Sequence, residues 1–321
     1  MSSAPMTFPQ MEAALELAAA QFLPIQQAMQ SLSFFNRRLY VDPVSGVDTN
    51  NGTAFATAFK TMAHAIEVCD VYDIIGFVGT IKEDSLTLAT PNVTILGLGA
   101  NPVSNVWQQS DTYAVSKILL TVTAANCAVV NTKIRPAAYL ASGVPAGIAL
   151  AGAHQFQLLH SLMQGRAGSY FGLYSDGNNA NVKIKDTVFA YINTLTYGIA
   201  IGGHGYSVGE NSGWSIEDCL FHSNVNHIVM RMRQSTIKGG IFSHYGLAAD
   251  GSELATTKKI DISGAVHGWN HVTDNTLCGA YTNTGGYTPG TNDNWAGNRS
   301  SENGGTYVSV GGLTLTIPQA A

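Results

Sequence analysis

Two aspartates, Asp186 and Asp218, stand 32 residues apart inside nearly the same local sequence, VKIKDTVFAY (182–191) and WSIEDCLFHS (214–223). Cleavage of a glycosidic bond needs a pair of carboxylates, one to protonate the leaving oxygen and one to act as base or nucleophile. A lyase needs instead a calcium site and a basic residue to abstract a proton. With Glu210, Glu217 and His222 close by in sequence, Asp186, Asp218 and His222 form the candidate catalytic set. The same aspartates also suit a turn, where an Asp side chain bonds its own backbone. A third copy, STIKGGIFSH (235–244), favours the turn, because it carries Gly239 where the others carry the acid.

Other residues with binding chemistry are scattered. Arg231 and Arg233 in IVMRMRQ fall on one side of a strand and could take a carboxylate or sulfate, or form a solvated row or an inter-subunit pair. Tyr281, Tyr287 and Trp295 lie in a Gly/Asn/Thr-rich stretch, where aromatics could stack on sugars or anchor a partner protein. DTNNG (48–52) alternates oxygen ligands as a calcium loop would, but has no closing bidentate acid and reads more readily as an Asn-Gly turn. His222, His227 and His244 could share a face, yet no HxH or HExxH spacing occurs. GGHGYSVG (202–209) has no phosphate-loop lysine. No metal and no cofactor is expected.

The elements that must position these residues follow from the repeat. The frame Ile, any residue, Asp or Gly, any residue, aliphatic, Phe begins at Ile184, Ile216 and Ile237, with weaker versions at Ile95, Val130, Leu158 and Ile262. One short strand pattern recurring at intervals of about 20–35 residues is the signature of a solenoid of β-coils. Stacked in parallel, Ile184, Ile216, Ile237 and Ile262 would form an inner aliphatic column and Phe189, Phe221 and Phe242 an aromatic one. Asp186, Asp218, Gly239 and Gly264 would make the bend. A β-sandwich would want hairpin turns every ~8–12 residues, and none is found.

Composition agrees. Charged residues are 12% of the 321 and glycines number 34, which suits short strands and tight turns better than exposed helices. A net charge of -5 leaves no basic footprint for nucleic acid and argues against an anionic membrane surface. The four cysteines lie far apart, with no CxxC pair, and read as buried free thiols. The first 23 residues lack a basic n-region, and Glu12 and Glu16 interrupt the apolar run, so synthesis in the cytoplasm without a secretory signal is expected.

Residues 7–34 read as a helix, with Thr7 and Gln10 as a capping box and Pro9 near its first position. Met11, Leu15, Ala18, Phe22, Ile25, Met29 and Leu32 alternate spacings of four and three, a heptad seam suited to self-association. Pro24 favours the alternative, a kinked helix packed on its own body. The expected organisation is a helical arm (1–38), a β-helix body (39–280) and a loop-and-strand extension (281–321), in which TYVSV would pair with LTLTI.

The stretch YVDPVSGVDTNNGTAFATAFKTMAHAIE (40–67), then YDIIGFVGTIKED (72–84) and NVTILGLG (92–99), resembles the opening segment of the right-handed parallel β-helix proteins of the pectate-lyase-like superfamily. That superfamily includes polysaccharide-processing enzymes, bacteriophage tailspikes and other virion spikes. Ala58 stands where the family usually has Pro, and Tyr72 where it usually has Gly. The resemblance implies an all-β, right-handed parallel β-helix whose short helix around Thr61–Ile66 caps the open apolar end. By likeness to the spike branch it implies a homotrimeric virion structural protein, a surface spike or decoration on capsid or tail. Its partners would be capsid or tail proteins and a host surface glycan. The alternative is a tailspike-type polysaccharide lyase or glycoside hydrolase.

Overall fold

The computed structural model describes residues 37–109, 117–136, 145–165, 171–192, 198–203, 211–222, 224–243, 260–262, 268–278, 287–288, 292–295, 297–301 and 307–308. The chain passes repeatedly through three sheets in the order A, B, C. Sheet A has nine strands, from Arg38–Val41 to His271–Thr273. Sheet B has ten, from Gly79–Lys82 to Tyr307–Val308, and sheet C eight, from Leu86–Leu88 to Tyr287–Thr288. Neighbouring strands of the three sheets are one coil apart in sequence and parallel, except for the last pair of sheet B, where Arg299–Ser301 meets Tyr307–Val308 antiparallel. This is the expected all-β, parallel β-helix solenoid. No helix among the described residues is long and apolar enough to cross a membrane.

Burial of one aliphatic side chain per rung holds sheet A. Leu39, Ile75, Ile95, Val129, Leu158, Ile184, Ile216, Ile237 and Val272 pair in unbroken register, all buried, each stabilising the fold by roughly 1.5–3 kcal/mol relative to exposure. Sheet B contributes Phe189, Phe221 and Phe242, stacked at centroid spacings of 4.9 and 4.6 Å. Two sequence starts need correction. The weak start at Val130 is one residue late, since Val129 faces inward between Ile95 and Leu158. Ile262 does not continue the Ile237 column: Val272 does, while Ile260–Asp261 pairs with Ile228 and Val229 in sheet C. Apolar alternation looks alike on every wall of the prism, so the pattern finds strands without saying which sheet they join.

The corner from sheet A to sheet B is tight and repeats. Asn131, His160, Asp186, Asp218, Gly239, Asp274 and Gly297 all occupy the left-handed region, with φ between 48° and 70°. The next residue turns inward and is small: Thr132, Ser161, Thr187, Cys219 and Gly240, then Asn275. Hydroxyls of Thr132, Ser161 and Thr187 donate to the carbonyls of Val130, Leu159 and Lys185 at 2.8–3.0 Å, so their burial leaves no unsatisfied donor. Gly264, expected in this column, lies outside the described residues, and Asp274 stands where it was expected.

Helix α1 (Met62–Val68) closes the open end of the solenoid with Met62 and Ala65. Thr61 caps it by accepting from the His64 N–H, and both Glu83 carboxylate oxygens accept from its first N–H groups, Met62 at 2.7 Å and Ala63 at 2.8 Å. Asp48 fixes the approach, accepting from Lys60 N–H, Thr61 N–H and the Thr61 hydroxyl at 2.8–2.9 Å. Asn51 accepts from Thr53 and Thr57 in the same way. The DTNNG oxygens are thus engaged in building a turn. The helical arm, with Met11, Leu15, Phe22, Ile25 and Met29, lies outside the described residues, as does LTLTI.

Candidate functional site

Sheet C departs from simple alternation. Its inner column is Leu120, Ile148, Leu173, Ile201 and Ile228, yet the residue before each, Leu119, Gly147, Gly172, Ala200 and His227, is buried too. A Cβ on Gly147 or Gly172 would strike Met163 of sheet B at 2.7 and 2.9 Å, so both face the core. Two consecutive inward residues on successive rungs make a stacked β-bulge, a device that re-aims neighbouring side chains and is common beside functional sites. Gly and Ala fit because there is no room for more. His227 fits by lying against Phe221 and Phe242 and meeting Asn224 Nδ2 at 3.4 Å.

The bulge turns Phe171 outward, onto the side where Tyr174 also projects, and their rings meet at 5.2 Å with a 59° tilt. Gly202, one rung on, leaves the space the Phe171 ring occupies: a Cβ there would stand 2.4 Å from Phe171 Cε1. Phe171 is 5% exposed, while Tyr174 is half-buried and forms the accessible part of the pair. Burial, and then the negative charge of Asp176, push the Tyr174 phenol up, so it remains a neutral hydrogen-bond donor at physiological pH. Along its column run Thr121, Ala149, Tyr174, Gly202, Val229 and Asp261, giving a shallow face with a hydroxyl at one end and a carboxylate at the other.

The strand ends form a charged edge beside this face. Asp176 follows Ser175 and accepts from Asn178 and the Asn179 amide. Arg231 and Arg233 flank buried Met232 just beyond Asn226–Val229, Arg231 half-buried and Arg233 exposed. Met232 and Arg233 pair with Asn211 and Ser212 in a separate two-stranded sheet.

The candidate catalytic set does not converge. Asp186 and Asp218 sit on adjacent rungs, about 4.8 Å apart along the stack, at the left-handed corner position. Their side chains are 37% and 55% exposed; Asp186 Oδ2 is 3.3 Å from His160 Nδ1, and Asp218 Oδ2 is 3.9 Å from Lys185 Nζ. His222 is four residues further on, at the far end of Leu220–His222, about 13 Å along an extended chain. There it meets Tyr191 edge to face at 5.2 Å, and burial pushes its imidazole down. Trp295 is 5% exposed and belongs to the core, so it offers no open ring. It was expected on a polar loop, but stacking continues past residue 280, and Asn294 pairs with the sheet A strand at His271. Tyr287 belongs to a strand of sheet C, and Tyr281 and His244 lie outside the described residues. Among the described residues, no group of three or more His, Cys, Asp or Glu could hold a metal ion. The sheet C face itself escaped sequence reading, because Gly147, Gly172, Ala200 and His227 are not of one residue type.

No protein-family model and no curated protein matches the sequence. Solved structures do. A rhamnogalacturonan lyase superposes with a TM-score of 0.53 at 16% identity, over 83% of this chain and 73% of that one. The alginate lyase from Paenibacillus sp. str. FPU-7 gives 0.54 at 16% identity, over 74% and 92%. Pectate lyase Pel9A gives 0.57 at 12% identity, over 83% and 68%. These similarities show a shared parallel β-helix fold.

Proposed function

We propose that this chain binds an extended polysaccharide along the outer face of sheet C, with the polymer running parallel to the solenoid axis. The observation that carries the reading is the stacked bulge, which turns the Phe171–Tyr174 pair outward over Gly202. A ring with a polar tip, set among small residues, stacks on a sugar while its hydroxyl donates to it. Asp176, Arg231, Arg233 and Asp261 supply polar contacts at the edge. The names of the similar structures, lyases of rhamnogalacturonan, alginate and pectate, support an extended glycan as the ligand class at the level of fold.

On the sheet C face the carboxylates are too far apart to act as an inverting glycosidase pair. Asp261 lies three rungs, about 14 Å, from the Phe171–Ser175 strand that Asp176 directly follows. Paired carboxylates in inverting glycosidases stand about 6.5–9.5 Å apart. A place on a bacteriophage particle, with a homotrimeric state and capsid or tail proteins as partners, is a separate proposal supported by the heptad spacing from Met11 to Met29.

Affinity electrophoresis through gels containing alginate, pectate, rhamnogalacturonan or neutral dextran tests the main reading. At least one polymer should retard the protein, and Tyr174→Ala should weaken retention on the order of tenfold, about 1.4 kcal/mol. Equal retardation of the variant, or none of the wild type, would overturn it. Release of reducing ends or of ultraviolet-absorbing products would show that the chain cleaves as well as binds.

A further inference from the structure

The outer face of sheet B runs in two columns. One holds Lys133, Leu162, Val188, Leu220 and Ile241. The other is polar over its first rungs, Gln108, Arg135 and Gln164, and continues through Ala190 to His222. Arg135 Nη1 donates to Gln108 Oε1 at 3.3 Å. Its Nε–H is shielded from solvent and finds no hydrogen-bond acceptor among the described residues, and Gln164 Oε1 is shielded in the same way and finds no donor. A donor and an acceptor shielded from water on adjacent rungs, whose strands lie about 4.8 Å apart, each carry an uncompensated desolvation penalty.

Charge points the same way. Lys133 stands two residues before Arg135 on the same face, and neither forms an ion pair among the described residues. Burial, and then the nearby guanidinium, push the Lys133 ammonium down. This part of the face therefore lacks three things: a negative charge, an acceptor for Arg135 Nε–H and a donor for Gln164 Oε1.

We propose that Arg135, Lys133 and Gln164 form a binding site for a hydroxy-carboxylate, an acid group with a hydroxyl beside it. The acid oxygens accept from Arg135 Nε–H and lie near Lys133, while the hydroxyl donates to Gln164 Oε1. A plain carboxylate or a sulfate leaves Gln164 without its donor, and a neutral sugar leaves the two cations unneutralised, so the pair of orphaned atoms selects for both groups on one ligand. The hydroxy-carboxylate could be a free hydroxy acid or a sugar-acid unit of a larger glycan. Tyr191 bears on that choice. It is held at a φ of 55°, is 47% exposed and meets His222 edge-on further along the column, where it offers a ring only a sugar-sized ligand would reach.

Titration calorimetry on the full chain with glycolate, acetate, glucuronate, glucose and sulfate tests the site. Glycolate should bind about three- to tenfold more tightly than acetate, the worth of one hydrogen bond, and glucuronate should bind where glucose does not. Arg135→Gln should weaken glycolate at least tenfold. Gln164→Leu should abolish the preference for glycolate over acetate while leaving acetate affinity unchanged. Should Arg135→Gln fail to fold, Gln164→Leu and Lys133→Met carry the same test. Tyr191→Ala should weaken glucuronate alone if the ligand is a sugar acid, and neither acid if it is a free hydroxy acid. Equal affinity for glycolate and acetate in the wild type, or no saturable binding of either, would overturn the proposal. Tyr174→Ala should leave every one of these values unchanged, so failure here is distinct from failure of the sheet C reading.

Discussion

At the scale of single residues, two groups make opposite statements about protonation. Burial pushes the Cys219 thiol up to about 12, so the nucleophilic thiolate is scarce at neutral pH. Peptide mapping after treatment of the native protein with a thiol reagent at pH 8 should find Cys219 unlabelled, with labelling on addition of denaturant; native labelling would place the thiol elsewhere than in the corner. Asp48 runs the other way. Burial alone would raise it, but hydrogen bonds from Thr61 N–H, the Thr61 hydroxyl and Lys60 N–H together hold it below the ordinary 3.8. A folded-state value depressed in this way stabilises the fold above the ordinary aspartate range and is lost as pH falls through the folded value. Asp48→Ala should destabilise by about 1–3 kcal/mol at pH 7. Its melting temperature should also fall less steeply than that of the wild type below about pH 4. Parallel acid profiles for the two proteins would show that Asp48 is not the group responsible.

At the scale of elements, the sheet A to sheet B corner was legible in the sequence and the sheet C face was not. Ile184, Ile216 and Ile237 could be aligned because a two-residue corner fixes the distance from each aliphatic to the Asp or Gly and on to the Phe. Sheet C strands follow connections of varied length, and their bulge is filled by Gly, Ala, Leu or His according to local volume, so no frame repeats. The competing turn reading of Asp186 and Asp218 agrees with their positive φ, whereas the distance to His222 could not be read from residues only four apart. The corner makes its own prediction. Gly239 has a φ of +67°, and a Cβ there would stand 2.3 Å from Asp218 Oδ1; Gly79 has a φ of +86° with open space around it. Urea denaturation should show Gly79→Ala costing about 1–2 kcal/mol for the left-handed backbone alone. Gly239→Ala should cost more, and Asp218→Ala should rescue part of the difference. Equal losses at the two glycines would contradict the corner geometry.

At the scale of the whole molecule, nine rungs in sheet A span about 38 Å at ~4.8 Å per step, and a single core runs from Leu39 to Trp295. The repeat disclosed the solenoid and the resemblance disclosed the end-closing helix, whereas the contacts of Thr61 and Glu83 with the first turn of α1 came from the structure. Light scattering tests the proposal drawn from the arm. A homotrimer should scatter at three times the 33.9 kDa chain mass, and a monomer at micromolar concentration would remove the trimer from the account. A parallel stack presents each sheet as a separate wall, and a polymer lying on one wall should leave the others open. The central claim is that the polymer lies on sheet C, and hydroxyl-radical footprinting reads this directly. At saturating concentration of the polysaccharide that retards the protein most, Tyr174 should be shielded, whereas Tyr72 and Trp269, both about half exposed at the corners leading into sheet A, should oxidise at their free rates. Unchanged oxidation of Tyr174, with shielding at Tyr72 or Trp269 instead, would contradict the account.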